Sequence, residues 1–325
     1  MTSLDLAALA ARLPARPLTR FAPSPTGYLH LGHVANAIWV WGLARALGGR
    51  VLLRVEDHDR GRCRPEYERA LLDDLDWLGL EPDLGAPDEF RAGPSAYRQS
   101  NAAPIYQAAL DRLSQAGLVF GCDCTRKDIA GTEGDVFNEE TRYPGRCRAR
   151  GLALAPGIGA RLRIDPEVER FVDARLGPQA QDPARQCGDL LLRDRLGQWT
   201  YQFAVVVDDL RHGVDLVVRG EDLLQSTGRQ IHLGRLLGRP APPVFLHHPL
   251  IRKDSGEKLS KAAGDTGIRE LRAGGASRAA VLGRAAALTG LTPRAEPIEP
   301  RDLANLFSTG YDLDIHQRGG RPRRC

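Results

Sequence analysis

The chain has 325 residues, 42% of them apolar and 26% charged, a balance that supports a buried core and excludes wholesale disorder. That length holds one large domain or two ordinary ones. No run approaches the roughly 18 apolar residues of a membrane span; the best stretch, 35–47, is broken by Asn36, Gly42 and Arg45. A secretory signal layout is absent from the first twenty residues, and Asp5 interrupts an Arg-rich leader. The net charge of +4 permits a nucleic-acid partner without requiring one.

In chain order, 18–22 reads as a short apolar strand, 23–32 as a loop with two prolines and two glycines, and 33–47 as a helix stopped by Gly48-Gly49. Residues 50–55 then read as a buried strand. Such a unit predicts an α/β fold with a parallel sheet and a right-handed crossover. Helices are expected at 65–78 and 103–116. The stretch 121–151 has cysteines, glycines and charges without periodicity and reads as an insertion, with antiparallel pieces at 160–164 and 188–193. The parallel pattern is expected to resume with strands at 204–207 and 215–219, a helix at 223–237 and a strand at 244–247. One or two helices follow over 269–291, another over 301–307, and a loose basic tail over 318–325. Nothing after about Leu259 has the length of a second full domain.

His30-Leu31-Gly32-His33 sits where the first loop hands over to a helix. A helix N-terminus offers free N–H groups and about half a positive charge. Two imidazoles there can donate to a polyphosphate, and Gly32 allows close backbone approach. The bland alternatives are two solvated histidines or half of a metal site. Lysine is scarce: only Lys127, Lys253, Lys258 and Lys261 stand against 41 arginines. Lys258-Leu259-Ser260-Lys261 lies in a Gly-, Asp- and Ser-rich loop, where a merely solvated pair would more naturally be arginine. Lysines near phosphates supply compact positive charge to the transition state. A P-loop is absent, and so is a dinucleotide fingerprint after the first strand. Cys122, Cys124 and Cys147 cluster within 26 residues, which points to a metal in a reducing compartment rather than bridges; three unrelated thiols are the alternative. Cys63, Cys187 and Cys325 look incidental.

Arg20 through Gly27, then His30–His33, then Arg54-Val55-Glu56-Asp57, then Lys258–Lys261 resemble, in that order, the glutamyl branch of the class I aminoacyl-tRNA synthetases. The likeness covers 18–265, and Ala22-Pro23-Ser24 is worded as in glutamyl rather than glutaminyl enzymes. About sixty residues follow Lys261, fewer than the ~100 of an ordinary anticodon-binding module. That shortness, with the Cys-x-Cys insertion, resembles the glutamyl-Q tRNA(Asp) synthetase family, which attaches glutamate to queuosine at the wobble position of tRNA(Asp).

The resemblance implies a Rossmann-like catalytic domain with an inserted zinc-binding subdomain and a short helical C-terminal region. Its parts would be an extension over 1–17, catalytic halves over 18–119 and 200–262, the insertion over 120–199, and 263–325 without an anticodon-binding domain. It implies glutamate binding by Arg20, Phe21, Ala22, Pro23, Ser24, Glu56, Tyr201 and Arg219. ATP binding falls to His30, Gly32, His33 and Lys261, and catalysis to His30, His33, Lys258 and Lys261. Zinc would be held by Cys122, Cys124, Cys147 and, by the family pattern, Tyr143. ATP with Mg²⁺, L-glutamate and queuosine-containing tRNA(Asp) are the implied partners of a cytoplasmic monomer.

The residue chemistry agrees. A substrate with two carboxylates and an ammonium needs cationic forks and one acid. Arg20 or Arg219 is expected on the side-chain carboxylate and Glu56 on the ammonium. The competing readings are surface charges for the two arginines, a strand-end ion pair for Glu56, and ordinary core for Tyr201. Rival functions are a truncated glutamyl-tRNA synthetase charging tRNA(Glu), an inactive RNA-binding paralogue, and a cofactor-synthesis nucleotidyltransferase.

Overall fold

The computed structural model describes residues 4–130, 136–137, 140–251 and 267–308. After a short helix α1 (Leu6–Ala10), β1 (Leu18–Phe21) is buried at every residue and runs into α2 (Leu31–Ala46), followed by β2 (Arg50–Leu53). β1 and β2 pair in parallel, Leu18 opposite Arg50 through Phe21 opposite Leu53. The crossover helix α2 is buried from Val34 to Ala44 with Asn36 as its one partial exception. A helix apolar on nearly every side belongs inside the molecule. Helices α3 (Pro65–Leu78), α4 (Pro87–Ala92) and α5 (Ala103–Gln115) come next. Each carries Pro in its first turn, where the missing N–H costs nothing.

The chain then leaves the parallel sheet. β3 (Val119–Cys122), α6 (Arg126–Ala130), β4 (Val136–Phe137), β5 (Glu140–Thr141) and β6 (Gly159–Leu162) precede a hairpin of β7 (Glu169–Asp173) and β8 (Gly177–Gln181). Helix α7 (Pro183–Gln186) leads to β9 (Leu190–Arg193). β3, β6 and β9 form an antiparallel sheet, in line with the antiparallel pieces expected there.

Helix α8 (Tyr201–Arg211), β10 (Leu216–Gly220), a 3₁₀ stretch Glu221–Ser226, α9 (Thr227–Leu236) and β11 (Val244–His248) return to the main sheet. Its order is β11-β10-β1-β2, all parallel. Helices α10 (Ile268–Ala273), α11 (Arg278–Leu288) and α12 (Asn305–Ser308) follow, and α2 packs against both α11 and α12.

Two expectations are corrected. Residues 204–207 are not a strand; they lie inside α8, which buries Phe203 through Asp209 between α5 and α9. A short all-apolar run has the same pattern in a buried strand and a buried helix. The helix expected over 223–237 begins only at Thr227, after the 3₁₀ stretch.

Candidate active site

The strand order reverses between β1 and β10, because β2 lies beyond β1 while β11 lies beyond β10. In a doubly wound sheet the crevice at the carboxyl ends of those strands receives ligands. Here it is a cavity of about 460 Å³ lined by His30, Gly32, His33, Arg219, Asp222 and His248 among others.

His30 caps α2. Its Nδ1 accepts from the Gly32 amide at 3.0 Å, and His33 Nδ1 accepts from the His30 amide at 3.1 Å. Each neutral ring therefore carries its proton on Nε2. The rings stand 4.0 Å apart between centroids. A Cβ on Gly32 would lie 2.8 Å from His30 Cε1, so the glycine makes room first for the capping imidazole.

Beside this pair lies a buried charge cluster. Arg20, Glu56 and Arg219 are 4%, 3% and 3% exposed, which removes the surface-charge reading of the two arginines. Arg20 Nε donates to Asp209 at 3.1 Å, and Arg54 donates to Asp209 at 2.7 Å and to Glu56 at 2.8 Å. Asp209 is held down to about 2: burial opposes ionisation, but the charges of Arg20 and Arg54 outweigh it. Arg54 and Asp209 were not among the expected site residues. Arg54 was legible as part of the Arg-Val-Glu-Asp run; Asp209 was hidden by the strand reading of α8.

Arg219 differs from Arg20. Its partners are His247 Nε2 at 3.0 Å, Gln230 Oε1 at 2.6 Å, Thr227 Oγ1 at 2.8 Å and the Leu223 carbonyl at 3.3 Å. All are neutral, and burial pushes the guanidinium pKa down. Among the described residues no carboxylate lies within ion-pairing distance of it. Tyr201 is the first residue of α8. Burial pushes its phenol up, and the charges of Arg219, Glu56, Arg20 and Asp209 all act on it. Phe21 turns into the core, its ring 5.3 Å from that of Trp41, while the Pro23 carbonyl accepts from the Glu56 amide at 3.1 Å.

Lys258 and Lys261 lie outside the described residues, as does Cys325. The residues that flank their segment do not: Ile251 lines the imidazole cavity, and Gly267 bridges to His30, with the Ile268 amide donating to the Leu29 carbonyl at 2.9 Å.

In the insertion, the sulfurs of Cys122, Cys124 and Cys147 lie within 4.8 Å of one another. Cys124 and Cys147 are 3.5 Å apart, Cys122 Sγ hydrogen-bonds the Tyr143 hydroxyl at 3.5 Å, and that hydroxyl also accepts from the Cys147 amide at 2.9 Å. Zn–S bonds of ~2.3 Å in a tetrahedron give sulfur separations of about 3.8 Å, so three thiols and the phenol fit a zinc ion. Arg161 donates to Cys122 at 3.3 Å and stacks on Tyr143. Burial resists ionisation of Cys122, but the Tyr143 and Arg161 hydrogen bonds hold its pKa below the usual thiol range. Cys63 and Cys187 do not belong to this cluster; the Cys187 thiol donates to the Pro183 carbonyl at 3.2 Å.

The catalytic-domain model of class I tRNA synthetases (E and Q) matches residues 18–303. The glutamyl-Q tRNA(Asp) synthetase of Nitratidesulfovibrio vulgaris is 41% identical over 303 residues, covering 89% of this chain and 91% of its own. That of Rhodobacter capsulatus is 42% identical over 280 residues, covering 81% and 97%. Among solved structures, a glutamate tRNA ligase from Elizabethkingia meningosepticum in complex with its amino acid superposes with a TM-score of 0.74 at 27% identity. It covers 92% of this chain, and this chain spans 65% of it. The chain therefore belongs to the class I tRNA synthetases of the glutamate and glutamine type, in the branch whose curated members are named glutamyl-Q tRNA(Asp) synthetases.

Proposed function

We propose that this enzyme activates glutamate with ATP in the absence of tRNA and transfers it to queuosine at the wobble position of tRNA(Asp). The observation that carries the glutamate assignment is the contrast between two buried arginines. Arg20 is already neutralised by Asp209, whereas Arg219 holds its charge among neutral partners on the wall of the imidazole cavity. An uncompensated buried guanidinium strongly favours a carboxylate partner, and one Arg219 N–H, on the nitrogen that also meets Gln230, is left over from the four protein bonds. Arg219 accordingly takes the substrate's side-chain carboxylate, Tyr201 flanks it, and Glu56 takes the ammonium. The run Arg20–Ser24 builds the floor.

The substrate α-carboxylate is already ionised, so the protein needs no strong base. It attacks the α-phosphorus of ATP in line, and pyrophosphate leaves. His30 and His33 hold the phosphates through their Nε2 protons, while Lys261, assisted by Lys258, neutralises the transition state with Mg²⁺ accompanying ATP. A hydroxyl of the cyclopentene ring then attacks the anhydride carbonyl and AMP leaves. Cys122, Cys124, Cys147 and Tyr143 would hold zinc, which when bound cross-links the insertion. Residues 18–119 and 200–262 act as the two catalytic halves around the insertion 120–199, with 1–17 and 263–325 flanking them. We place the enzyme in the cytoplasm as a monomer.

ATP–pyrophosphate exchange with glutamate and no tRNA tests the first step; its absence would overturn the reading in favour of a tRNA(Glu)-charging enzyme. For the second step, labelled glutamate supplied with total tRNA must stay off RNA lacking queuosine.

A further inference from the structure

Arg219 is held from behind by groups that the sequence did not single out. Asp173, the last residue of β7, places Oδ2 at 2.6 Å from His247 Nδ1, and both side chains have no exposed surface. His247, on β11, accepts from Arg219 Nε at 3.0 Å through Nε2. The carboxylate is itself fixed, since Asp173 Oδ1 accepts from the amides of Arg175 at 3.0 Å and Leu176 at 2.8 Å in the turn between β7 and β8. Arg175 reaches back to the His247 carbonyl and to Glu221.

These contacts decide the imidazole tautomer. With its proton on Nδ1 toward Asp173, the neutral ring offers an Nε2 lone pair, which only a donor such as the Arg219 Nε–H can meet. Burial pushes His247 down, in keeping with a neutral ring. The opposite tautomer would point a proton at a guanidinium N–H and lose both bonds. A carboxylate–imidazole pair of this kind sets the orientation of whatever the second nitrogen touches.

We propose that Asp173 and His247 are positioning residues for substrate recognition, holding the Arg219 fork in the orientation that grips the glutamate side-chain carboxylate. The proposal rests on Arg219 being that anchor. Gln230, Thr227 and the Leu223 carbonyl hold the terminal nitrogens, so His247 supplies the restraint on Nε. The β7–β8 hairpin of the insertion thereby reaches the amino-acid pocket through one hydrogen-bonded chain.

The test is glutamate-dependent, tRNA-free ATP–pyrophosphate exchange on the full chain, with KM for glutamate and for ATP measured separately and melting temperature alongside. His247→Leu should raise the glutamate KM roughly tenfold or more and leave the ATP KM unchanged. His247→Gln, whose amide oxygen can stand in for the Nε2 acceptor, should recover most of that loss. Asp173→Asn should give an intermediate rise. If His247→Leu does not fold, the isosteric Asp173→Asn variant decides. A glutamate KM within about twofold of wild type in these variants, with only a lowered melting temperature, overturns the proposal and leaves a hairpin contact. A His247→Gln enzyme as weak as His247→Leu also overturns it. Arg219→Ala separates the two levels: an unchanged glutamate KM there defeats the anchor assignment itself.

Discussion

Arg54 has no exposed surface, and its guanidinium meets Glu56 at 2.8 Å, Asp209 at 2.7 Å and Asp208 at 3.8 Å. Arg20 shares Asp209. Removing one member of such a network strands the others without water. Asp209→Asn should therefore destabilise the fold by about 3–5 kcal/mol, measured by thermal unfolding at neutral pH. The acid limb gives the sign. Ionised Asp209 stabilises the fold above its unfolded pKa of about 3.9, and that contribution is lost as pH falls through about 2. The variant should lose less stability than wild type over that window. Gly32 carries a second prediction. A methyl there collides with the His30 ring, so Gly32→Ala should displace the capping imidazole and raise the ATP KM more than the glutamate KM in exchange assays.

Helix α2 is the element on which the site is mounted. Its N-terminus carries the imidazole pair, and its body is clamped between the sheet and the helices α11 and α12. Gly42 is the close-approach point: a Cβ would lie 2.2 Å from Phe307 Cε2 and 2.9 Å from the Leu303 carbonyl. Gly42→Ala should cost about 1–3 kcal/mol despite alanine's better helix propensity, read by denaturant unfolding. The insertion sheet stands apart from this clamp. Its cysteine cluster lines no part of the imidazole cavity. Cys147→Ser is expected to abolish stoichiometric zinc, measured on purified protein, and to lower the melting temperature, while tRNA-free glutamate activation persists.

At the scale of the molecule, the catalytic sheet joins strands far apart in sequence, Thr19 pairing with Leu216. The site exists only where these segments meet. The near-exclusive use of arginine for positive charge suits a surface that grips phosphates bidentately. Binding of tRNA should weaken steeply between low and physiological salt, with log K falling linearly against log salt concentration. Glutamate activation, which we assign to the buried Arg20, Glu56 and Arg219, should respond far less over the same range.

Sequence by itself determined the local features: the strand–loop–helix–strand unit, the helix at 65–78, the imidazole pair at a helix start and the three-thiol cluster. Each depends on neighbours close in the chain, through period, capping and spacing. The nature of 201–211 was not legible, because a helix buried on all sides loses the polar face that distinguishes it from a strand. Nor was the difference between Arg20 and Arg219, which are alike in residue type and both buried. Only the tertiary structure decided it, by bringing Asp209 to one and the Asp173–His247 pair to the other. A charge's meaning depends on whether a partner neutralises it, and the partners that set these two arginines apart lie 189 and 28 residues away in the chain.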